Sequence, residues 1–238
     1  MACLVEGNSI RATCRLTGAA KNTVVKLLRD LGIACEDAHN RLVRGLRCKR
    51  IHCDEIWSFC YAKAKNVPTE HQGEFGYGDV WTWIALDADT KLAVSYNVDR
   101  RDAEAAHRLM IDVAERVLNR IQLTTDGFKP YLEAVEEAFG NEVDFAQLVK
   151  MYGTDKKHVS TSFVERPNLT MRMSMRRFTR LTNAFSKKVE NHMHNVALHF
   201  FRYNFVRKHQ SLNGQTPAQT AGIADHAWSI EELVGLLH

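Results

Sequence analysis

Lys49–Lys63 reads KRIHCDEIWSFCYAK, and this stretch decides the fold. Isoleucine and aromatic residues crowd it, so it reads as a β-strand. Within that strand stands Asp54, with Ile51, Ile56, Trp57 and Phe59 around it. An ionised carboxylate among apolar neighbours is costly unless it is paired or holds a metal ion.

Working outward, DVWTWIALD (Asp79–Asp87) and LAVSYNV (Leu92–Val98) read as a second and a third strand. The DADT at 87–90 is turn chemistry, which predicts a hairpin. DAEAAHRLMIDVAERVLNRI follows (102–121), with Ala106, Leu109, Met110, Val113 and Val117 at i, i+3, i+4, i+7 and i+11. That spacing predicts an amphipathic helix. Then come a strand, RIQLTTDG (120–127), a short acidic helix, YLEAVEEAFG (131–140), and a strand, FAQLVKMYG (145–153). Antiparallel strands followed by alternating helix and strand predict a mixed-sheet α/β fold, flanked by helices. In that layout the end of the fourth strand lies near the middle of the first, bringing Asp126 within reach of Asp54. Each residue has a plainer reading by itself: Asp126-Gly127 is a common turn dipeptide, and an Arg partner would satisfy Asp54.

The sequence divides into a helix-turn-helix over 1–34, a polar linker over 35–49, the α/β domain over 50–210 and a helical tail over 211–238. Ser9–Gly32 predicts two short helices, with Gly18 at the bend and Ile10, Leu16, Val24, Leu27, Leu28 and Leu31 at helical spacings. Lys21, Asn22, Thr23, Lys26 and Arg29 supply the polar side of the second helix, which in a DNA-binding pair enters the major groove. An ordinary helical hairpin capping a domain is the plainer alternative.

Charge points the same way. Arg166 to Lys208 holds ten Lys or Arg against one acid, Glu190, although the whole chain is only +4. One-signed runs of this size suit a polyanion such as nucleic acid. Phe178, Phe185, Phe200, Phe201, Tyr203 and Phe205, interleaved with these cations, are expected mostly in the core. The six cysteines all lie before residue 61, without Cys-x-x-Cys spacing, and are expected as reduced thiols. Neither a bilayer-spanning run nor a signal-peptide pattern is evident, which predicts a cytoplasmic protein.

Glu165 stands in SFVERPNLTMR (162–172), two residues before Pro167. Pro suits the first turn of a helix, so Glu165 is expected at that helix's positive N-terminal end. Arg172, Arg176 and Arg180 then share one face at i, i+4 and i+8, placed to hold phosphates. Three carboxylates together repel one another and call for a cation. Oxygen ligands alone suit Mg²⁺ or Mn²⁺ rather than zinc.

HCDEIWSF, TTDGFKPY and SFVERPNLTMRMSMRRFTRLTNAFSK together resemble the DDE transposases of bacterial insertion sequences, most closely the insertion sequence 1 family. FFRYNFVRKHQSLNGQTPAQTAGI resembles their common tail, so the similarity covers nearly the whole chain. The resemblance implies a ribonuclease-H-like fold, with Asp54, Asp126 and Glu165 as a catalytic triad binding two Mg²⁺ or Mn²⁺ ions. It also implies a DNA contact at Arg172, two turns after the glutamate. The implied activity is cleavage at transposon ends and strand transfer into target DNA, by a homo-oligomer of at least two subunits in a bacterial or archaeal cell. Many members carry a cysteine zinc motif before the helix-turn-helix. This sequence shows none, so the expectation is either a reduced end-recognition module or a shortened relative whose binding depends more on other surfaces. The alternatives are a domesticated helix-turn-helix regulator and a metal-dependent nuclease of the same fold without strand transfer.

Overall fold

A computed structural model describes residues 1–148, 175, 178 and 185–237. Its frame is a five-stranded sheet of order β3-β2-β1-β4-β5. The strands are β1 (Arg50–Cys60), β2 (Gly78–Asp87), β3 (Ala93–Asp99), β4 (Ile121–Asp126) and β5 (Val143–Leu148). β1, β2 and β3 pair antiparallel, whereas β4 runs parallel to both β1 and β5. The expected hairpin is present, and Asp87 fastens its turn by accepting from the Thr90 amide at 3.3 Å and its hydroxyl at 2.5 Å. Lys91 completes the reversal with a left-handed φ of 64°.

The helices are α1 (Ala2–Val5), α2 (Ile10–Thr17), α3 (Lys21–Leu42), α4 (Ala103–Arg116), α5 (Tyr131–Phe139), α6 (Val189–Phe201), α7 (Pro217–Thr220) and α8 (Ile230–Gly235). Asp102 caps α4 by accepting from the Ala105 amide. Ala105, Ala106, Leu109, Met110 and Val113 are buried against the sheet. Val117 is not on that stripe as its spacing predicts. The helix ends at Arg116, and Val117 forms a bridge with Leu46. The Leu46 amide donates to the Arg116 carbonyl at 2.8 Å, so pairing with a distant segment wins over one more helical turn.

The burial of β1 changes phase partway along. Ile51, Cys53 and Glu55 are buried in its first half, then Ile56, Ser58 and Cys60 in its second. Side chains alternate between faces, so the strand is covered on one face up to Glu55 and on the other from Ile56. Ile51 and Cys53 share a core with α4 and α5. Ile56 and Cys60 join a second core with Val196 and Phe200 of α6. Asp54 lies at the crossover, where neither layer closes over it.

The N-terminal reading needs correction. α3 does not stop at Gly32 but runs to Leu42, through more than half of the 35–49 stretch expected as a linker. Gly32 is an interior helical residue set by close approach of α6: a Cβ there would lie 2.4 Å from that of His194. Val24, Leu28, Leu31, Cys35 and Ala38 enter the same core as the sheet, as do Ala218 and Leu233 of the tail. His39 extends this union, donating from Nε2 to the Ala93 carbonyl at 3.0 Å. Burial, with the Arg116 charge adding to it, pushes the imidazole down to about 3 and keeps it neutral. Segments 1–34 and 211–238 are thus packed into the main body. Leu16, read as part of the apolar stripe, is exposed.

All six cysteines are free thiols, and four are buried. Phe178, Phe200, Phe201, Tyr203 and Phe205 are buried, as expected, while Phe185 is half-buried.

Candidate active site

Parallel pairing builds the site. β1 and β4 are in register at Arg50–Gln122, Ile51–Leu123 and His52–Thr124. Two residues beyond the last pair, on the two strands, stand Asp54 and Asp126. Beyond that level the chain leaves β4, and the Phe128 amide donates to Asp126 Oδ1 at 3.0 Å. Asp54 Oδ1 accepts from the Glu55 amide at 2.9 Å. Asp54, Glu55 and Asp126 each present a carboxylate oxygen within 4.8 Å of the others. Asp54 and Asp126 face a cleft of about 660 Å³ that Arg101, Phe128, Lys129 and Pro130 also line.

Glu55 and Arg101 are the members that sequence reading did not single out. The Glu55 side chain is 2% exposed, and Arg101 Nη2 lies 3.2 Å from it and 3.1 Å from Asp126. Arg101 Nε adds a second bond to Glu55 at 3.3 Å. The guanidinium lies 4.1 Å from the ring centre of Phe128 and 5.2 Å from that of Trp81. Planar, delocalised charge suits both tasks, pairing with carboxylates edge-on and stacking on rings face-on. Burial raises the Glu55 carboxyl to about 7, and the neighbouring Asp126 charge adds to this; Tyr131 and Arg101 oppose the rise. Glu55 was legible only as the second acid of Asp54-Glu55. Arg101 lies 46 residues further on, and nothing local marks it over Arg100.

These residues fit a hard divalent cation. The donors are all carboxylate oxygens, the set preferred by Mg²⁺ and Mn²⁺. Glu55 Oε1 is buried close to the Tyr131 hydroxyl, whose hydrogen bond is what opposes the rise of this carboxyl. Three carboxylates this close repel one another, and a cation would relieve the repulsion.

Residues 48–206 match the family model described as IS1 transposase. The chain belongs to the IS1 transposase family. The match spans more than half the sequence and takes in both aspartates, Glu55 and Arg101. No curated protein matches the chain.

In this IS1 transposase family member the remaining expected residues fall into two groups. Lys21, Asn22, Thr23, Lys26 and Arg29 are exposed along the first turns of α3, far in sequence from the carboxylates. Gly18, at φ 71°, caps α2 and turns the chain toward them. Lys26 pairs with Asp30 at 2.6 Å. Glu165, Arg172, Arg176 and Arg180 lie outside the described residues. Within the basic segment, Arg202 has an acidic partner that local sequence does not reveal: it binds Glu6 at 2.7 Å and is mostly covered. It is thereby removed from the cations expected to meet phosphate.

Proposed function

We propose that this protein is a transposase that binds transposon terminal inverted repeats, cleaves a DNA strand at each end and transfers the freed end into target DNA. The observation that carries the reading is the parallel β1–β4 register, which sets Asp54 and Asp126 side by side in a chain of the IS1 transposase family. Sheet order and strand directions support a ribonuclease-H-like frame.

Asp54 and Asp126 would hold divalent metal, with Glu165 as the third carboxylate of the triad. Two such ions, Mg²⁺ or Mn²⁺, supply charge stabilisation for the attacking and leaving oxygens of an in-line phosphoryl displacement. Glu55 stays behind the aspartates, and its pairing with Arg101 fixes the guanidinium that steadies Asp126. Lys129, at the cleft wall, offers a cation to the bound strand. Lys21, Asn22, Thr23, Lys26 and Arg29 read the terminal repeat from the exposed start of α3. Arg172, Arg176 and Arg180 grip backbone without reading sequence. A homo-oligomer of at least two subunits lets two ends meet one target. Among the described residues no helix is long and apolar enough to cross a membrane, and the protein acts with DNA inside the cell.

The test is incubation of purified protein with a labelled candidate end, Mg²⁺ and a target plasmid. Joined product is expected, and Asp54→Asn should abolish both cutting and joining while duplex affinity holds or rises. Cutting without joining would favour a nuclease. An Asn variant as active as the parent would reduce Asp54 to a structural residue.

A further inference from the structure

Beyond Glu55 the covering layer on one face of β1 ends, and the side chains that follow on that face are aromatic. Trp57 and Phe59 are half-buried, and neither belongs to a core cluster of the described residues. Trp57 stands directly across from Trp81, over which Arg101 lies, so the row is continuous with the carboxylate site. Trp57 and Phe59 have ring centres 5.8 Å apart, and Phe59 and Phe185 5.0 Å. Their planes are tilted by only 38° and 30°, unlike the edge-on packing of Trp83 on Tyr131 at 73°. Phe185 is held there by backbone: the Tyr61 amide donates to the Ser186 carbonyl at 2.8 Å, and Ser186 bridges Cys60.

Cations flank the row. Lys63 Nζ lies 6.0 Å from the Phe59 ring centre, and Lys187 Nζ 4.0 Å from that of Phe185. Both lysines are exposed, and neither has an acidic partner among the described residues. Half-buried rings in a row between exposed ammonium groups make a poor protein-docking core, where charge is depleted. They make a good surface for nucleic acid, offering π-faces to bases and positive charge to phosphates. Duplex DNA is the wrong form, because its base faces are already stacked on one another. An unpaired strand has those faces free.

We propose that Trp57, Phe59 and Phe185, flanked by Lys63 and Lys187, form a stacking platform for unpaired nucleotides of the strand whose phosphodiester enters the Asp54–Asp126 site. This rests on the transposase reading and adds a requirement to it: the DNA is locally melted beside the reacting phosphate. The row leads away from the carboxylates along β1, so the unpaired bases are those next to the scissile position.

The test compares binding of a dT₁₅ single strand with binding of a mixed-sequence duplex of the same length. It adds 2-aminopurine placed at each position flanking the cleavage site of a candidate end. Trp57→Ala and Phe59→Ala should each weaken dT₁₅ about 5- to 150-fold, the range for losing one base-stacking ring, with duplex affinity changed less than about twofold. Trp57→Phe should retain most single-strand affinity. Stacking on the platform should alter 2-aminopurine emission in the parent and not in the Ala variants. If an Ala variant fails to fold, Lys63→Glu with Lys187→Glu replaces it, both positions being exposed, and should weaken dT₁₅ more than duplex. Equal losses on both DNA forms, or an undiminished dT₁₅ affinity in folded variants, would overturn the platform and leave the transposase reading standing. A parent that binds neither DNA form would overturn both.

Discussion

Replacing Arg101 with Gln tests whether one side chain acts as the stand-in cation of the acidic site. In the structure its guanidinium meets Glu55 at 3.2 Å and Asp126 at 3.1 Å, inside a cluster of three carboxylates. Removing it has two opposed consequences. Without metal, the 2%-exposed Glu55 carboxylate loses its counter-charge. Breaking a buried pair from one side costs about 3–5 kcal/mol when the partner must stay charged. Glu55 has an escape, because burial already raises it to about 7 and proton uptake near neutrality is easy. The expected loss is therefore nearer 1–2 kcal/mol at pH 7. With metal the sign reverses. A divalent ion sits about 2.1 Å from a carboxylate oxygen, and the guanidinium is 3.1 Å from the Asp126 carboxylate. The two cations would then stand within about 5 Å, with a repulsion of roughly 6 kcal/mol at an effective dielectric of about 20. Arg101 yields instead by giving up part of its pairing, at about 2 kcal/mol for a charged hydrogen bond. Arg101→Gln should accordingly bind Mn²⁺ roughly thirtyfold more tightly. Calorimetric Mn²⁺ titration at pH 7 reads the affinity, and thermal melting with and without Mg²⁺ reads the stability. The variant should melt lower than the parent without metal and gain more on adding it. Unchanged or weaker Mn²⁺ binding in a folded variant would refute this account of Arg101.

Gly32→Ala should destabilise the protein by about 1–3 kcal/mol in urea unfolding, as overpacking does, because its Cβ would meet His194 at 2.4 Å; a neutral result would mean α3 and α6 are less closely seated. His39, held neutral down to about 3 against an ordinary 6.5, refuses a proton that the unfolded chain accepts. Its contribution is complete above pH 6.5 and falls by up to about 1.4 kcal/mol per pH unit below it. His39→Gln should show a shallower acid loss between pH 6.5 and 5, and parallel slopes would dismiss the assignment. Lys26→Ala with Arg29→Ala should weaken binding to a terminal-repeat duplex while leaving dT₁₅ affinity unchanged; equal loss on random duplex would make these residues backbone contacts only. Neutralising Arg172, Arg176 and Arg180 together should flatten the salt dependence of duplex binding by about one unit per lost phosphate contact, and an unchanged slope would move the DNA path elsewhere.

Much was legible in the sequence because its causes are local. Runs rich in Val, Ile and aromatic residues marked the strands, the 3.6-residue stripe of Ala106, Leu109, Met110 and Val113 marked α4, and DADT marked the hairpin. Asp54 was visible as a charge out of place in an apolar strand, and Asp126 as a carboxylate at a strand's end before glycine. What only the tertiary structure decided depends on partners distant in sequence. The two short helices were read as ending at Gly32, yet α3 runs on and the approach of His194 makes Gly32 an interior contact. Val117 carried the helical period and was taken by Leu46. Glu55 reads as one of two neighbouring acids until the covering layer buries it and Arg101 arrives from beyond β3. Trp57 and Phe59 read only as apolar neighbours of Asp54 until the burial of β1 changes phase and leaves them half-buried. Alternation fixes which side chains share a face, but only packing decides which face is covered.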